Sequence, residues 1–229
     1  MTKFLLLWIE SPLQSWGVDS KFKRRETLNF PTKSGILGML FSAMGKVGEQ
    51  RELLKRFSTL KHTTISYNNA VQKEELQMIG AGYDDTDDFE SMFIPRNKTG
   101  KISNGANKRG GIIKTKRFYL QDATFSVILE IDEENVSGAV EGLQNPTFPL
   151  FFGRKCCQPS DLIFRGVFNN EEDAILESDK IANDKIANGK KLKKYFTVKD
   201  GNEMAITDVP VSFGEKKEYS TRTIDKILE

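Results

Sequence analysis

One stretch, residues 10–45 (ESPLQSWGVDSKFKRRETLNFPTKSGILGMLFSAMG), constrains this chain more than any other. It runs from the end of an apolar strand through a polar and aromatic loop and a basic segment into a helix. Lys21, Lys23, Arg24 and Arg25 precede Pro31 and Thr32. Thr32 or Ser34 can cap the helix that follows, whose first-turn amides and positive dipole end attract anions. Ile36, Leu37, Leu40, Phe41 and Met44 recur on one face of that helix, so it must pack on an apolar partner, for which residues 4–9 are the nearest candidate. Gly45 supplies a stop. The stretch therefore predicts an anion site built around a helix start.

Bulk properties bound what surrounds it. A chain of 229 residues can bury a real core, as one large domain or a domain with a substantial appendage. The net charge of +2 hides local separation, which matters more to a polyanion than the total. Residues 4–9 are too short for a secretory signal, and no run approaches a membrane span. Cys156 and Cys157 are adjacent, which disfavours both a disulfide framework and a zinc site on spaced pairs. A reducing cytoplasm, no membrane partner and no cofactor are the expectations.

Residues 3–9 alternate poorly and read as a short buried strand. Residues 49–60 read as a second helix and residues 63–67 as a β-branched strand. His62, the only histidine, has no nucleophile pattern near it, so a surface or hydrogen-bonded histidine at a strand start is expected rather than a general base. The acidic run at 84–90 lacks the glycine and spacing of a calcium loop and reads as a solvated turn or docking patch. Residues 96–117 then carry Arg96, Lys98, Lys101, Lys108, Arg109, Lys114, Lys116 and Arg117 without one carboxylate. Four glycines interrupt the run, which predicts the tip of a long β-hairpin spanning about 72–117. A phosphate backbone explains such a run better than solubility does.

Phe118 and Leu120 share one parity while Phe125, Val127, Leu129 and Ile131 share the other, so a bulge or sharp bend is expected near Asp122 and Ala123, where the segment leaves the hairpin and enters the central sheet. Residues 133–143 read as a helix that Asp132 caps and Asn145-Pro146 ends. Gly153 lets a backbone approach, and Arg154 and Lys155 behind it fit either a phosphate or a structural ion pair. Cys156 and Cys157 read as small buried side chains. In the tail, Asp179-Lys180-Ile181-Ala182-Asn183 repeats as Asp184-Lys185-Ile186-Ala187-Asn188, a local duplication in a surface helix or loop. Residues 195–199 and 209–213 read as strands of a small carboxy-terminal sheet.

The order strand, helix, strand, hairpin, strand, helix, strand predicts an α+β fold: a ferredoxin-like (RRM-like) βαββαβ core over 1–168. Residues 169–229 form an extension packed on it. The aromatic RNA-binding octamer of recognition motifs is replaced by Lys116-Arg117-Phe118-Tyr119-Leu120, so contact with backbone and shape is expected rather than base stacking across the sheet.

Three segments carry a resemblance. Leu7, Ser11-Pro12-Leu13-Gln14-Ser15-Trp16-Gly17, Arg25, Thr27 and Pro31-Thr32-Lys33-Ser34-Gly35-Ile36-Leu37-Gly38 closely resemble the amino-terminal signature of the CasD family. Tyr119-Leu120-Gln121-Asp122-Ala123-Thr124-Phe125 is similar to its Tyr-Leu-x-Asp-Ala-x-Phe segment, and Gly153-Arg154-Lys155-Cys156-Cys157 to its Gly-Arg-Lys-x-Cys segment. Beyond residue 168 the resemblance weakens.

The resemblance implies a non-catalytic subunit of the type I-E CRISPR surveillance complex, Cascade, that caps and holds the 5′ handle of the guide RNA (crRNA). Its neighbours would be CasC backbone subunits and the large CasA subunit, with target DNA met through the complex. The handle would bend over Gln14, Ser15, Trp16 and Gly17, gripped by Arg24, Arg25, Lys33 and Arg154, with Ser34 and Lys155 beside them. The hairpin would be the family's thumb, offering Lys108, Arg109, Lys114, Lys116 and Arg117. Some type I-C relatives cut repeat RNA without metal, using a tyrosine, lysine and histidine. Here the comparable pair is Lys116-Arg117, and arginine does not deprotonate near neutral pH. Such an endoribonuclease, or a scaffold that mainly contacts proteins, are the other readings.

Overall fold

The computed structural model describes residues 1–17, 23–79, 87–94, 96 and 113–229. Lys108 and Arg109, the proposed hairpin tip and residues 84–86 of the acidic run lie outside them. In chain order the elements are β1 (Thr2–Glu10), β2 (Leu13–Gln14), β3 (Arg24–Arg25), α1 (Lys33–Ala43), α2 (Arg51–Thr59), β4 (His62–Ser66), β5 (Val71–Ile79), α3 (Asp88–Ser91), β6 (Ile113–Gln121), β7 (Thr124–Asp132), α4 (Glu133–Gln144), β8 (Phe164–Phe168), α5 (Glu171–Ala187), β9 (Phe196–Ser212) and β10 (Glu218–Leu228).

A six-stranded sheet runs β10-β9-β4-β7-β1-β8. Every pairing within it is antiparallel. β1 has no clean alternation because both its faces are covered. Leu5, Leu7 and Ile9 belong to a core completed by α1, α2 and α4, whereas Phe4, Leu6 and Trp8 pack with Ala174 and Ala182 of α5. The duplicated segment at 179–188 therefore lies within and just beyond a helix that seals the second face of the sheet. That helix starts on a side-chain cap, Asn170 accepting from the Asp173 amide, with Glu171, Glu172 and Asp173 against its positive end.

A second sheet is organised on β6. β5 lies antiparallel to it in register from Val71↔Gln121 to Ile79↔Ile113. β2 (antiparallel) and β3 (parallel) pair with β6 as well. The parity change in the sequence is a bend and a change of sheet: β6 ends at Gln121, Asp122 takes φ +52°, and β7 begins in the larger sheet. Nor do the last strands form a separate small sheet. β9 pairs with β4 at Thr64↔Val198, Ile65↔Thr197 and Ser66↔Phe196, so the carboxy-terminal hairpin extends the main one.

Helix α1 begins as the sequence dictates, with Thr32 Oγ1 accepting from the Gly35 amide at 3.1 Å. It is buried nearly all round, Met39 and Ala43 included, because α4 and β9 flank it in addition to the sheet. The helix reads as amphipathic in sequence because the glycines and serines on its other side mark small side chains, not solvent.

Candidate nucleic-acid interface

The loop between β1 and α1 is held from inside. Gln14 Nε2 donates to the carbonyls of Ile9 and Ala123 at 3.3 and 2.7 Å, and Gln14 Oε1 accepts from Trp16 Nε1 at 3.0 Å. Ser15 N donates to Phe152 O at 3.0 Å and Ser15 Oγ to Phe118 O at 3.3 Å. Trp16 is 1% exposed and Gln14 fully buried, so both are structural pegs beneath the loop, not surfaces that meet RNA. The indole lies against α1: a Cβ on Gly35 would come within 2.8 Å of the Trp16 ring. The tryptophan and the Lys33-Ser34-Gly35 helix start are thus two sides of one contact.

Gly153 completes the lock. Its φ is +91°, and a Cβ there would sit 1.7 Å from the Ser15 carbonyl oxygen. The backbone that comes close to Gly153 is therefore the chain's own. The turn that follows, closed by Cys157 N to Arg154 O at 2.8 Å, places the Arg154 guanidinium over the Tyr119 ring at 4.6 Å, with Nη2 donating to Arg25 O at 3.0 Å. Cys157 is buried as expected. Cys156 is exposed, and both are free thiols.

β3 and β6 set like charges side by side, Arg24 against Lys116 and Arg25 against Arg117. Paired residues in register project to the same face, and like charges there are destabilising. Two of the four have carboxylate partners: Arg24 pairs with Glu26 at 2.5 Å and Lys116 with Glu74 at 2.7 Å. Among the described residues Arg25, Arg117 and Arg154 have none, and Arg117 Nε and Arg154 Nη1 are buried without a hydrogen-bond partner. Lys114 and Lys155 are exposed nearby on β6 and on the 153–157 turn.

Two open clefts meet over this loop, one of about 540 Å³ and one of about 1050 Å³. Ser15, Gly17, Ser34 and Gly153 line both; Arg25 and Arg154 line the larger. Three lining residues carry no signal in the sequence: Lys46 at the end of α1, and Lys217 and Tyr219 from the carboxy-terminal hairpin. Lys217 and Tyr219 arrive only because β9 joins the main sheet and brings the hairpin across α1.

Lys33 is a correction. It is 1% exposed, and its ammonium donates to the carbonyls of Ser58 and Leu60 at 2.9 and 2.6 Å. The anion at this helix start is a carboxylate of the chain itself: the Lys33 amide donates to Asp208 Oδ2 at 2.8 Å. Asp208 is held by Arg222 at 2.7 and 3.0 Å, and Arg222 also reaches Asp200 at 2.7 Å. His62 completes the cluster, its Nδ1 3.3 Å from Arg222 and its Nε2 unpartnered. It is fully buried, and burial, then the Arg222 and Lys33 charges, hold it well below its ordinary pKa. The same burial lowers Lys33 to about 8.

The inward-locked signature loop, the cationic seam and the open clefts beside them form one basic surface. The chain belongs to the family described as CRISPR-associated protein (Cas_Cas5), which it matches over residues 4–225. It is 26% identical to the CRISPR system Cascade subunit CasD of Escherichia coli (strain K12) over 230 residues, spanning 96% of each chain. The likeness to CasD thus extends well past residue 168. Among solved structures it is similar to a chain of a CRISPR RNA-guided surveillance complex, with TM-score 0.74, 23% identity and 98% and 89% of the two chains covered. It is also similar to a crystal structure of a Cas protein, with TM-score 0.64, 22% identity and 98% and 94% covered. Among the described residues no helix is long and apolar enough to cross a membrane.

Proposed function

We propose that this chain is a non-catalytic, RNA-binding subunit of a Cascade-type CRISPR surveillance complex, in which it caps the guide RNA and holds its 5′ handle. The observation that carries the reading is the seam of Arg25, Arg117 and Arg154, none with a carboxylate partner among the described residues, with Arg25 and Arg154 lining the larger open cleft and Arg117 paired beside Arg25 on β6. Charge of one sign assembled at a structural cost is what a phosphate backbone neutralises. Family membership supplies the context, CasC and CasA being the neighbours that the likeness to CasD suggests, in the cytoplasm.

The strand order β8-β1-β7-β4, with helical crossovers β1-α1-β4 and β7-α4-β8, supports reading the core as ferredoxin-like. The β5–β6 ladder supports reading the hairpin as a thumb. The face of the sheet that recognition motifs use for RNA is covered here by α5, which favours a path along the loop and seam.

A repeat-cleaving nuclease is the less favoured reading. His62 is buried in the main sheet beside Arg222, Lys116 is paired with Glu74, and the Tyr119 hydroxyl is 3.7 Å from Cys156 Sγ with its pKa raised by burial. The deciding experiment incubates the purified chain with end-labelled CRISPR repeat RNA, with and without EDTA, on native and denaturing gels. A native shift with intact RNA is expected. Specific cleavage that survives EDTA would replace this reading with the nuclease, and an assembly that keeps its partners after RNase treatment would favour a protein scaffold.

A further inference from the structure

We infer that the carboxy-terminal hairpin supplies a stacking platform, Tyr219 with Lys217 beside it, that takes one unstacked nucleotide of the bound RNA in the neck between the two clefts. The inference rests on the RNA-binding reading above and deepens it.

Tyr219 and Lys217 border both clefts, and the wall they share with them is Ser15, Gly17, Ser34 and Gly153. Within that wall Gly17 is exposed, with open space where a Cβ would stand, and Ser34 is half-buried, so a flat base can approach Gly17 closely and find peptide and hydroxyl groups for its edge. Tyr219 is 44% exposed, large for a tyrosine beside a core, and its hydroxyl makes no hydrogen bond among the described residues. An aromatic face opposite backbone is the arrangement single-stranded nucleic acid uses for stacking without sequence preference. Lys217 is exposed and makes no ion pair among the described residues, leaving its charge for a phosphate.

The platform is held rigid. Glu218, between the two residues, pairs with Arg51 at 2.8 Å, which turns its charge away from the cleft. Phe213 N donates to Glu49 O at 3.0 Å, and Tyr219 is paired with Pro210 across the hairpin. Arg222, one turn of the pleat further on, fixes the hairpin to Asp208 and so to the start of α1. A preorganised aromatic loses little freedom on binding.

The test uses the full chain and handle RNA from the host's own repeat, with a fluorescent adenine analogue placed at one handle position at a time. Quenching at one position is expected on binding, retained in Tyr219→Phe and lost in Tyr219→Ala with affinity about tenfold weaker. Lys217→Glu should lower the slope of log K against log salt by about 0.7, the share of one single-strand phosphate. Circular dichroism and melting check that each variant is folded; both side chains are exposed enough for that. Tyr219→Ala and Lys217→Glu binding like the parent, with quenching unchanged, would overturn the platform while leaving the handle reading intact. A parent chain that shows no preference for handle RNA over unrelated RNA would sink the handle reading itself.

Discussion

Gly153 admits no side chain, because an added methyl would overlap the Ser15 carbonyl and the φ of +91° is one that other residues rarely adopt. Gly153→Ala should cost about 2–4 kcal/mol in urea denaturation. Trp16→Ala empties a fully enclosed site and should cost about 3–5 kcal/mol. A Trp16→Ala chain with unchanged stability and lost RNA binding would instead mean that the indole meets RNA. His62 gives a pH signature. It is neutral when folded, whereas the unfolded chain takes up a proton near 6.5, so stability falls as pH drops below that value. His62→Gln should flatten that part of the stability profile, measured by urea midpoints at stepped pH. Lys33, lowered to about 8, acts with the same sign at the alkaline end, adding stability as pH rises from about 8 toward 10.5. The sequence showed a cation at a helix start and an anion-seeking end. It held no sign that Asp208 would occupy that end, because no local pattern couples positions so far apart.

At the scale of elements, the strands and helices were legible wherever one face met water. The α2 stripe of Leu54 and Phe57, the Thr32 cap and the stop at Asn145-Pro146 all rest on local chemistry. β1 was legible only as buried, since its second cover, α5, is assembled from a segment whose repeat says nothing of where it docks. The β6–β7 parity change was enough to place the bend at Asp122 and the passage into the central sheet, but not to show that β2 and β3 would join β5 and β6 in a second one. The β3–β6 seam yields a prediction that separates fold from function. Arg25→Glu removes a like-charge neighbour of Arg117, so stability should hold or rise by up to about 1 kcal/mol. RNA affinity should nevertheless fall and become less salt-sensitive, read by titration at several salt concentrations. Parallel loss of stability and binding would mark Arg25 as structural.

For the whole molecule, residues from both ends build one site. The amino-terminal loop forms one wall of the clefts and the carboxy-terminal hairpin the other, with the turn at Gly153 between them. Ser15, Gly17, Arg25, Ser34, Gly153 and Arg154 were readable through the family's signature. Those from the hairpin were not, because an exposed Lys-Glu-Tyr is unremarkable until the sheet order brings it across α1. A chain cut after residue 195 loses β9, β10 and Asp208 together. It should be degraded by limited trypsin treatment under conditions that leave the full chain intact, since β4 gains an open edge and Lys33 and His62 lose their cover.

The contact between Asp208 and the Lys33 amide also bears on how the chain is made. Ribosomes release the start of α1 long before the carboxylate that answers it, and β4 likewise waits for β9. The signature loop and its helix thus emerge as a half-finished unit during translation, with the last strands acting as the clasp. Stalling or early termination near the carboxy terminus would then leave a nascent chain that carries the whole family signature yet cannot close its cleft. Quality control in the cell would meet that chain before any guide RNA does.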